Sequence, residues 1–359
     1  MLVYNEEYIK TIEDAIRSLP GCEKLKGKRV FVTGGNGLVC SPLVDILHVL
    51  NSRHGYEIDI ILGGRSKERI AKRFHYLTEG KDYSYVRFAG AAETKEASGG
   101  AEEESSLKGI DYFIHGAGTG DPVTIMSDPA GVMMANINGL KVLLDASREN
   151  KGSRILFVSS SEVYGKVPGV TSGLSEDDYG FIDILNPRSS YPSAKRASET
   201  LMASYIHEYG VDGVIGRPGH IYGPAITDTD TRVTAQFTRN AKNNEPIIMK
   251  SEGSQIRSYC YFLDCATGLL TILLQGGSGE AYNISNPEAI CSIRDMAEGF
   301  SQVSGCPLEL HIATPEEKAK FNQAENSSLD SEKLLALGWK PAYDRLKGID
   351  ATLEFYSED

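Results

Sequence analysis

Tyr8, Ile9, Ile12, Ala15, Ile16 and Leu19 recur at helical spacing, and Pro20-Gly21 closes the run. Residues 1–26 are therefore expected to form a helical extension packed on the main body. The pattern then changes period. Arg29-Val-Phe-Val-Thr33 is a short apolar run with β-branched residues, which predicts a strand, and glycines follow it at once. Residues 42–50 return to helical spacing. The same exchange recurs along the chain, with strand-like runs at 57–62, 112–115, 154–159 and 211–217. Helical runs end near Glu149 and extend from Tyr191 to Gly210. Strands alternating with helices predict a parallel sheet covered on both faces, so the expected class is a doubly wound α/β fold.

The first glycine turn gives that fold a candidate ligand. Thr33-Gly-Gly-Asn-Gly37 leads through Leu38, Val39 and Cys40 into the second helix. A strand, a glycine turn and a helix in this order form the Rossmann-type setting for a dinucleotide. Gly34 permits the tight turn, Gly37 lets the backbone approach a pyrophosphate, and the helix N-terminus offers free N–H groups. Cys40 stands where a third small residue should pack helix on strand. The next strand ends in Gly63-Gly-Arg65-Ser66 with no acid. An acid there would bind the ribose hydroxyls of NAD, whereas Arg65 and Ser66 suit the 2′-phosphate of NADP. A solvated arginine at a helix start is the plain alternative. Residues 89–106, rich in Ala, Gly and Glu, read as an exposed insertion.

Candidate chemistry lies at the later strand ends. Tyr191 and Lys195 are four residues apart on one helix face. A free phenol has a pKa of about 10, and a nearby cation favours its phenolate. The pair is therefore expected to accept a proton from a hydroxyl. Strand 154–159 runs into Ser159-Ser-Ser-Glu162, a cluster at the carboxyl edge where open sheets bind ligands. Any one of these serines could instead cap a loop.

Composition narrows the class further. The chain has 359 residues, 41% apolar and 24% charged, as in ordinary globular proteins. A net charge of -12 argues against nucleic acid or an anionic membrane as partner. The six cysteines show no C-x-x-C spacing, so no metal site is expected and reduced cytoplasmic thiols are. Met1 is followed by no basic-then-apolar leader, and no run reaches membrane-spanning length.

Together these motifs resemble the extended short-chain dehydrogenase/reductases, in particular the epimerase/dehydratase group that modifies nucleotide sugars. The resemblance covers residues 28–356. It rests on Thr33-Gly-Gly-Asn-Gly37, His115-Gly-Ala-Gly118, Asn136-Ile-Asn-Gly139, Ser160 before Val163-Tyr164-Gly165, and Tyr191 with Lys195. Further on it includes Arg217-Pro-Gly-His-Ile-Tyr-Gly-Pro224, Gly253-Ser-Gln-Ile-Arg257 with Asp264, Tyr282-Asn-Ile-Ser-Asn-Pro287 and Leu337-Gly-Trp-Lys-Pro341.

The resemblance implies that Tyr191 is the base, Lys195 its partner and ribose ligand, and Ser160 a second hydrogen bond to the reacting hydroxyl. It assigns NAD or NADP to Gly34, Asn36, Gly37, Leu38, Val39, Arg65, Ser66, His115, Ala117, Gly118, Asn136, Ser159 and Pro218, with Tyr191 and Lys195. The diphosphate and sugar fall to Ser161, His220, Arg232 and Arg257. Asp264 is expected to anchor structure. The implied division is an extension at 1–26, a dinucleotide-binding domain at 27–217 with about 258–284, and a smaller C-terminal α/β substrate lobe at 218–257 and 285–359. A homodimer through the helices before Lys151 and after Tyr191 is also implied.

Within the family, Ser160-Ser-Glu162 lacks the aspartate of the 4,6-dehydratases and is closer to the Thr-Ser-Glu of UDP-glucuronate decarboxylases. His220 stands where those decarboxylases usually have Asn, and the tail around Glu325-Asn-Ser-Ser-Leu lacks their customary Arg. Three functions stay open: a nucleotide-sugar epimerase, a UDP-glucuronate-type decarboxylase, and an idle nucleotide-binding module. An idle relative would be expected to lose Tyr191, Lys195 or Ser160, and all are present.

Overall fold

The computed structural model describes residues 1–89, 107–118, 120–314 and 324–357. The expected insertion at 89–106 lies outside them apart from Ala89. Helix α1 (Glu6–Arg17) starts where the Asn5 side chain accepts the Tyr8 amide, and it buries Tyr8, Ile12 and Ile16. The first half continues with β1 (Arg29–Thr33), α2 (Ser41–His54), β2 (Asp59–Gly64), α3 (Lys67–Arg73), β3 (Ser84–Arg87) and β4 (Tyr112–His115). Then come α4 (Pro122–Ser127), α5 (Pro129–Glu149), β5 (Arg154–Val158), α6 (Ser190–Tyr209) and β6 (Asp212–Pro218). The second half holds β7 (His220–Tyr222), α7 (Val233–Lys242), β8 (Ile247–Met249), β9 (Ile256–Tyr261), α8 (Phe262–Gln275) and β10 (Ala281–Ile284). It ends with β11 (Ile290–Ser292), α9 (Ile293–Ser304), β12 (Leu308–Leu310), β13 (Asn326–Ser327), α10 (Glu332–Leu335) and α11 (Arg345–Phe355).

Seven parallel strands form the main sheet in the order β10-β6-β5-β4-β1-β2-β3. Strand alternation sends β1 into two layers. Val30 and Val32 join the core on one face, while Phe31 packs with Phe113 and Phe157 on the other. Both faces of β1 are therefore apolar, as the Arg29–Thr33 run suggested. The chain order reverses between β1 and β4, which opens a crevice at their carboxyl ends.

A second, smaller sheet has β9 flanked by β11 and β13 and also paired to β7. The sequence reading put residues from about 258 with the large sheet. β10 does close that sheet, but residues 258–261 lie in β9 of the smaller one, because β7 leads the chain across to pair with it. Among the described residues no helix is long and apolar enough to cross a membrane.

Asp264, in the first turn of α8, ties the C-terminal segment to this body. Its carboxylate accepts the amides of Ala342 at 2.8 Å and Tyr343 at 3.0 Å. Burial pushes its pKa up from 3.8 to about 7. A raised pKa means that the folded state holds its proton longer than the unfolded chain. Stability should therefore fall as pH rises from about 4 to 7, by an amount on the order of 3 kcal/mol. Urea unfolding at several pH values should show this slope in the wild type and lose it in Asp264→Asn. A wild-type slope kept by Asp264→Asn would assign it to another group.

Candidate active site

The crevice is built first by glycine. Gly34 has φ +69°, and a Cβ on it would lie 2.5 Å from the Gly116 carbonyl carbon. Only glycine lets the turn after β1 and the turn after β4 approach so closely. The Gly37 amide closes the turn onto the Gly34 carbonyl at 3.0 Å, and Ser41 N–H follows onto Gly37 at 2.9 Å. Helix α2 follows from Cys40 with no side-chain cap, its Ser41 N–H taken by Gly37 and Pro42 having none, so the N-terminal end keeps its positive dipole with few free N–H groups. Leu38 and Cys40 are buried beneath the turn, while Gly34, Asn36, Gly37 and Val39 are partly exposed.

Cys40 serves as the small packing residue. It is 1% exposed, and a Cβ on Gly116 would come within 2.2 Å of its Sγ. The thiol fills space that a glycine at 116 leaves open. Burial pushes its pKa up to about 12, so it stays a neutral thiol.

Next to this turn, Asn36, Gly64, Arg65, Ser66, Arg69 and Ile70 line a cleft of about 460 Å³. Arg65 is exposed and joins no ion pair among the described residues. Ser66 caps α3, accepting the Arg69 amide at 3.3 Å and donating to Glu68 at 2.8 Å. Its hydroxyl is thus already engaged.

Three of the expected cofactor residues turn their side chains inward. His115 is 1% exposed, pairs through Nδ1 with the Thr33 hydroxyl at 2.7 Å, and is held neutral by burial, its pKa pushed down to about 3. Asn136 is fully buried and donates to the Val132 carbonyl, while its Oδ1 has no partner. A Cβ on Gly118 would fall 2.7 Å from that oxygen. Ser159 donates to Glu199 at 2.5 Å. Of the others, Ala117 lies at the β4 turn with its amide 3.4 Å from the Thr33 hydroxyl, and Pro218 is buried as the last residue of β6. The glycine cradle, the uncapped helix and the adjoining cleft fit a dinucleotide.

At the far side of the crevice α6 carries Tyr191 and Lys195. Lys195 is 4% exposed and donates to the Val158 carbonyl at 2.9 Å. Its ammonium lies 4.7 Å over Phe157 and 5.7 Å over Tyr191. Burial lowers its pKa to about 8.

The expected lowering of the Tyr191 pKa is not met. The phenol is pushed up to about 12, first by burial and then by the Glu162 carboxylate. A hydrogen bond from Ser160 and the charges of Arg232 and Arg188 oppose this without overcoming it. The Lys195 ammonium is directed at the Val158 carbonyl, and burial outweighs the charges that oppose it at the phenol.

Ser160 also accepts the Glu162 amide at 3.2 Å and so starts the short 3-10 turn Ser161–Tyr164. Ser161 lies partly exposed on that turn. Glu162 forms a two-pronged ion pair with Arg188, at 2.8 and 3.0 Å. Arg232 is held by Asp230 at the start of α7. Arg257 on β9 is 3% exposed, and its Nη1 donates to its neighbour's carbonyl at 2.8 Å. His220 on β7 feels both arginines. The structure thus gathers Tyr191, Ser160, Glu162, Arg232, Arg257 and His220 within mutual electrostatic reach.

One contributor was missed. Glu199 follows Lys195 by four residues on α6, so helical spacing could have exposed it. It binds Ser159 and pairs with Arg217 at 2.7 Å. Arg188 stands in Pro187-Arg188-Ser-Ser-Tyr191 just ahead of the Tyr191 helix, and its pairing with Glu162, 26 residues earlier, comes only from the fold.

Comparison with known proteins gives the family and the fold. Residues 30–285 match the NAD dependent epimerase/dehydratase family. UDP-glucuronic acid decarboxylase 6 of Arabidopsis thaliana is 26% identical over 321 residues, 89% of this chain and 86% of its own. The fold is similar to that of UDP-glucose 4-epimerase from Thermotoga maritima, with TM-score 0.74 and 22% identity over 91% of this chain and 98% of the other. UDP-glucuronic acid 4-epimerase from Bacillus cereus, solved with UDP-glucuronic acid and NAD, has TM-score 0.73 and 20% identity over 91% and 98%.

The Cys40–Gly116 contact gives a direct test. Gly116→Ala should lower stability by about 1–3 kcal/mol through overpacking. Adding Cys40→Gly should restore most of that loss in thermal unfolding. Additive losses in the double variant would show that the two residues do not share this space.

Proposed function

This chain belongs to the NAD dependent epimerase/dehydratase family, and we propose that it oxidises the C4 hydroxyl of a nucleotide-diphosphate sugar to a transient 4-keto sugar and returns it as the 4-epimer. The chain is an enzyme of this family, and its residues have defined places in such a reaction. Tyr191 takes the hydroxyl proton, and Ser160 holds both the phenol and the reacting oxygen. Lys195, held by the Val158 carbonyl near the ring, would bind the ribose of the cofactor. When bound, NAD(P) supplies the hydride acceptor. General-base help contributes roughly 10²–10⁴-fold, with the rest left to positioning. Arg232 and Arg257 supply the positive charge for the diphosphate.

One observation carries the choice of epimerisation. Both oxygens of Glu162 are engaged by Arg188, so the carboxylate is not free to move a proton beside the ketone. A 4-epimerase needs no further acid or base after oxidation. The second reading, a UDP-glucuronate-type decarboxylase, is favoured by the decarboxylase relatives and by Arg257, a buried guanidinium suited to a uronate carboxylate. We place the enzyme in the cytoplasm, where six free thiols stay reduced. A homodimer through α5 and α6 belongs to the same proposal. Met134 of α5, 51% exposed, offers apolar surface for it.

The test is NMR of products from UDP-glucose, UDP-glucuronic acid and their dTDP counterparts. The 4-epimer should appear without carbon dioxide. Tyr191→Phe should keep the fold and lose about 10²–10⁴-fold in turnover. Glu162→Gln should leave epimerisation near the wild-type rate. Carbon dioxide from the uronate, lost in Glu162→Gln, would replace the first reading by the second.

For the cofactor we propose NADP over NAD, with Arg65 on the 2′-phosphate. Titration should show tighter NADP binding in the wild type, weakened in Arg65→Ala by about 1–2 kcal/mol while NAD is unaffected. Equal affinities in both proteins would leave Arg65 a solvated side chain.

A further inference from the structure

One face of the smaller sheet is short of partners. His220 lies opposite Tyr259 in the β7–β9 register, and Arg257 precedes Tyr259 by two residues, so all three share a face. Ser327 pairs with Arg257 from β13 and joins them. The His220 Nδ1, the Tyr259 hydroxyl and the Ser327 hydroxyl are buried with no hydrogen-bond partner. Arg257, 3% exposed, forms no ion pair among the described residues. Buried polar groups are normally satisfied, and a buried cation normally has a counter-ion. What this face lacks is an anion.

We infer that His220 couples substrate binding to the uptake of a proton, so that a nucleotide sugar's diphosphate is met by an imidazolium set between Arg232 and Arg257. This rests on the proposed substrate class and adds to it a charge change on binding. The groups facing the imidazole are few. β9 contributes Arg257 and Tyr259, the start of α7 contributes Arg232, and β11 brings Cys291 close to Tyr259. Asp230 is committed to Arg232, and Glu162 lies near Arg257 but is bound by Arg188. Tyr259 and Cys291 are both shifted upward, Cys291 to about 11, and stay neutral. The imidazole is the group on this face able to change charge near neutrality.

In the free protein it does not. Burial, then the charges of Arg257 and Arg232, push its pKa down to about 3. A diphosphate diester carries two negative charges and cancels the effect of both arginines. It also gives Nδ1 an acceptor. Both changes raise the imidazole pKa in the complex. A group whose pKa rises on binding takes up a proton between its free and bound values. Affinity is then highest at low pH and falls as pH rises through the bound value.

The test is isothermal titration calorimetry of the full chain with UDP-glucose and dTDP-glucose. Their doubly esterified diphosphates have no oxygen titrating near neutrality. Each titration is run in buffers of low and high ionisation enthalpy. At about pH 6 the buffer dependence should report uptake of about half a proton or more, shrinking by about pH 8 with a several-fold loss of affinity. His220→Asn should still bind and should lose this uptake. Binding heats independent of buffer in the wild type would overturn the inference and leave the substrate class standing, as would equal uptake in His220→Asn. Failure of both sugar nucleotides to bind the wild type would overturn the substrate class and the inference with it. The wild-type buffer series stands on its own should His220→Asn not fold.

Discussion

The ion pair between Arg217 at the end of β6 and Glu199 on α6 is the contact on which the site depends. Its side chains are 6% and 13% exposed, and two bonds at 2.7 and 3.0 Å join them. A pair this deep gives little net stability over an apolar replacement, but removing one partner strands a charge at a cost of about 3–5 kcal/mol. Other polar groups use it as an anchor. Glu199 also takes the Ser159 hydroxyl. Arg217 reaches the Tyr164 hydroxyl and the Glu176 carbonyl, and Tyr164 donates to Asn283 on β10. Asn283 in turn donates to the Leu174 carbonyl and to the Asp330 carbonyl, far apart in the chain. The loop carrying Ser160 and Glu162 is therefore pinned to helix and sheet at once. Arg196 adds three bonds to the carbonyls of Val163, Tyr164 and Gly180.

This scaffold explains the electrostatics of Tyr191. A phenol buried beside a carboxylate is disfavoured as phenolate, and here burial is the larger cause. The cations that oppose it are held by their own acids, Arg188 by Glu162 and Arg232 by Asp230. Their fields at the phenol are reduced by these partners. The protein by itself thus keeps Tyr191 protonated, and the electrostatic pull on its proton must come with the ligands. Burial likewise dominates at His220, and Arg257 and Arg232 add to it in keeping the imidazole neutral.

The sequence determined the local and periodic features. The β1 strand and its glycine turn, the helix from Ser190 to the glycine cap at Gly210, and the αβ alternation were all legible, because 3.6- and 2-residue periods and glycine's positive φ act over a few residues. The pairing of Tyr191 with Lys195 was legible for the same reason. Only the tertiary structure decided what burial and distant partners do. It turned His115, Asn136 and Ser159 inward, directed Lys195 at a carbonyl, matched Cys40 to Gly116, moved residues 258–261 into the smaller sheet and joined Glu162 to Arg188. Each of these depends on which groups meet from far along the chain. Desolvation and Coulomb energies vary with that meeting at ångström scale, and a linear pattern of residue types does not contain it.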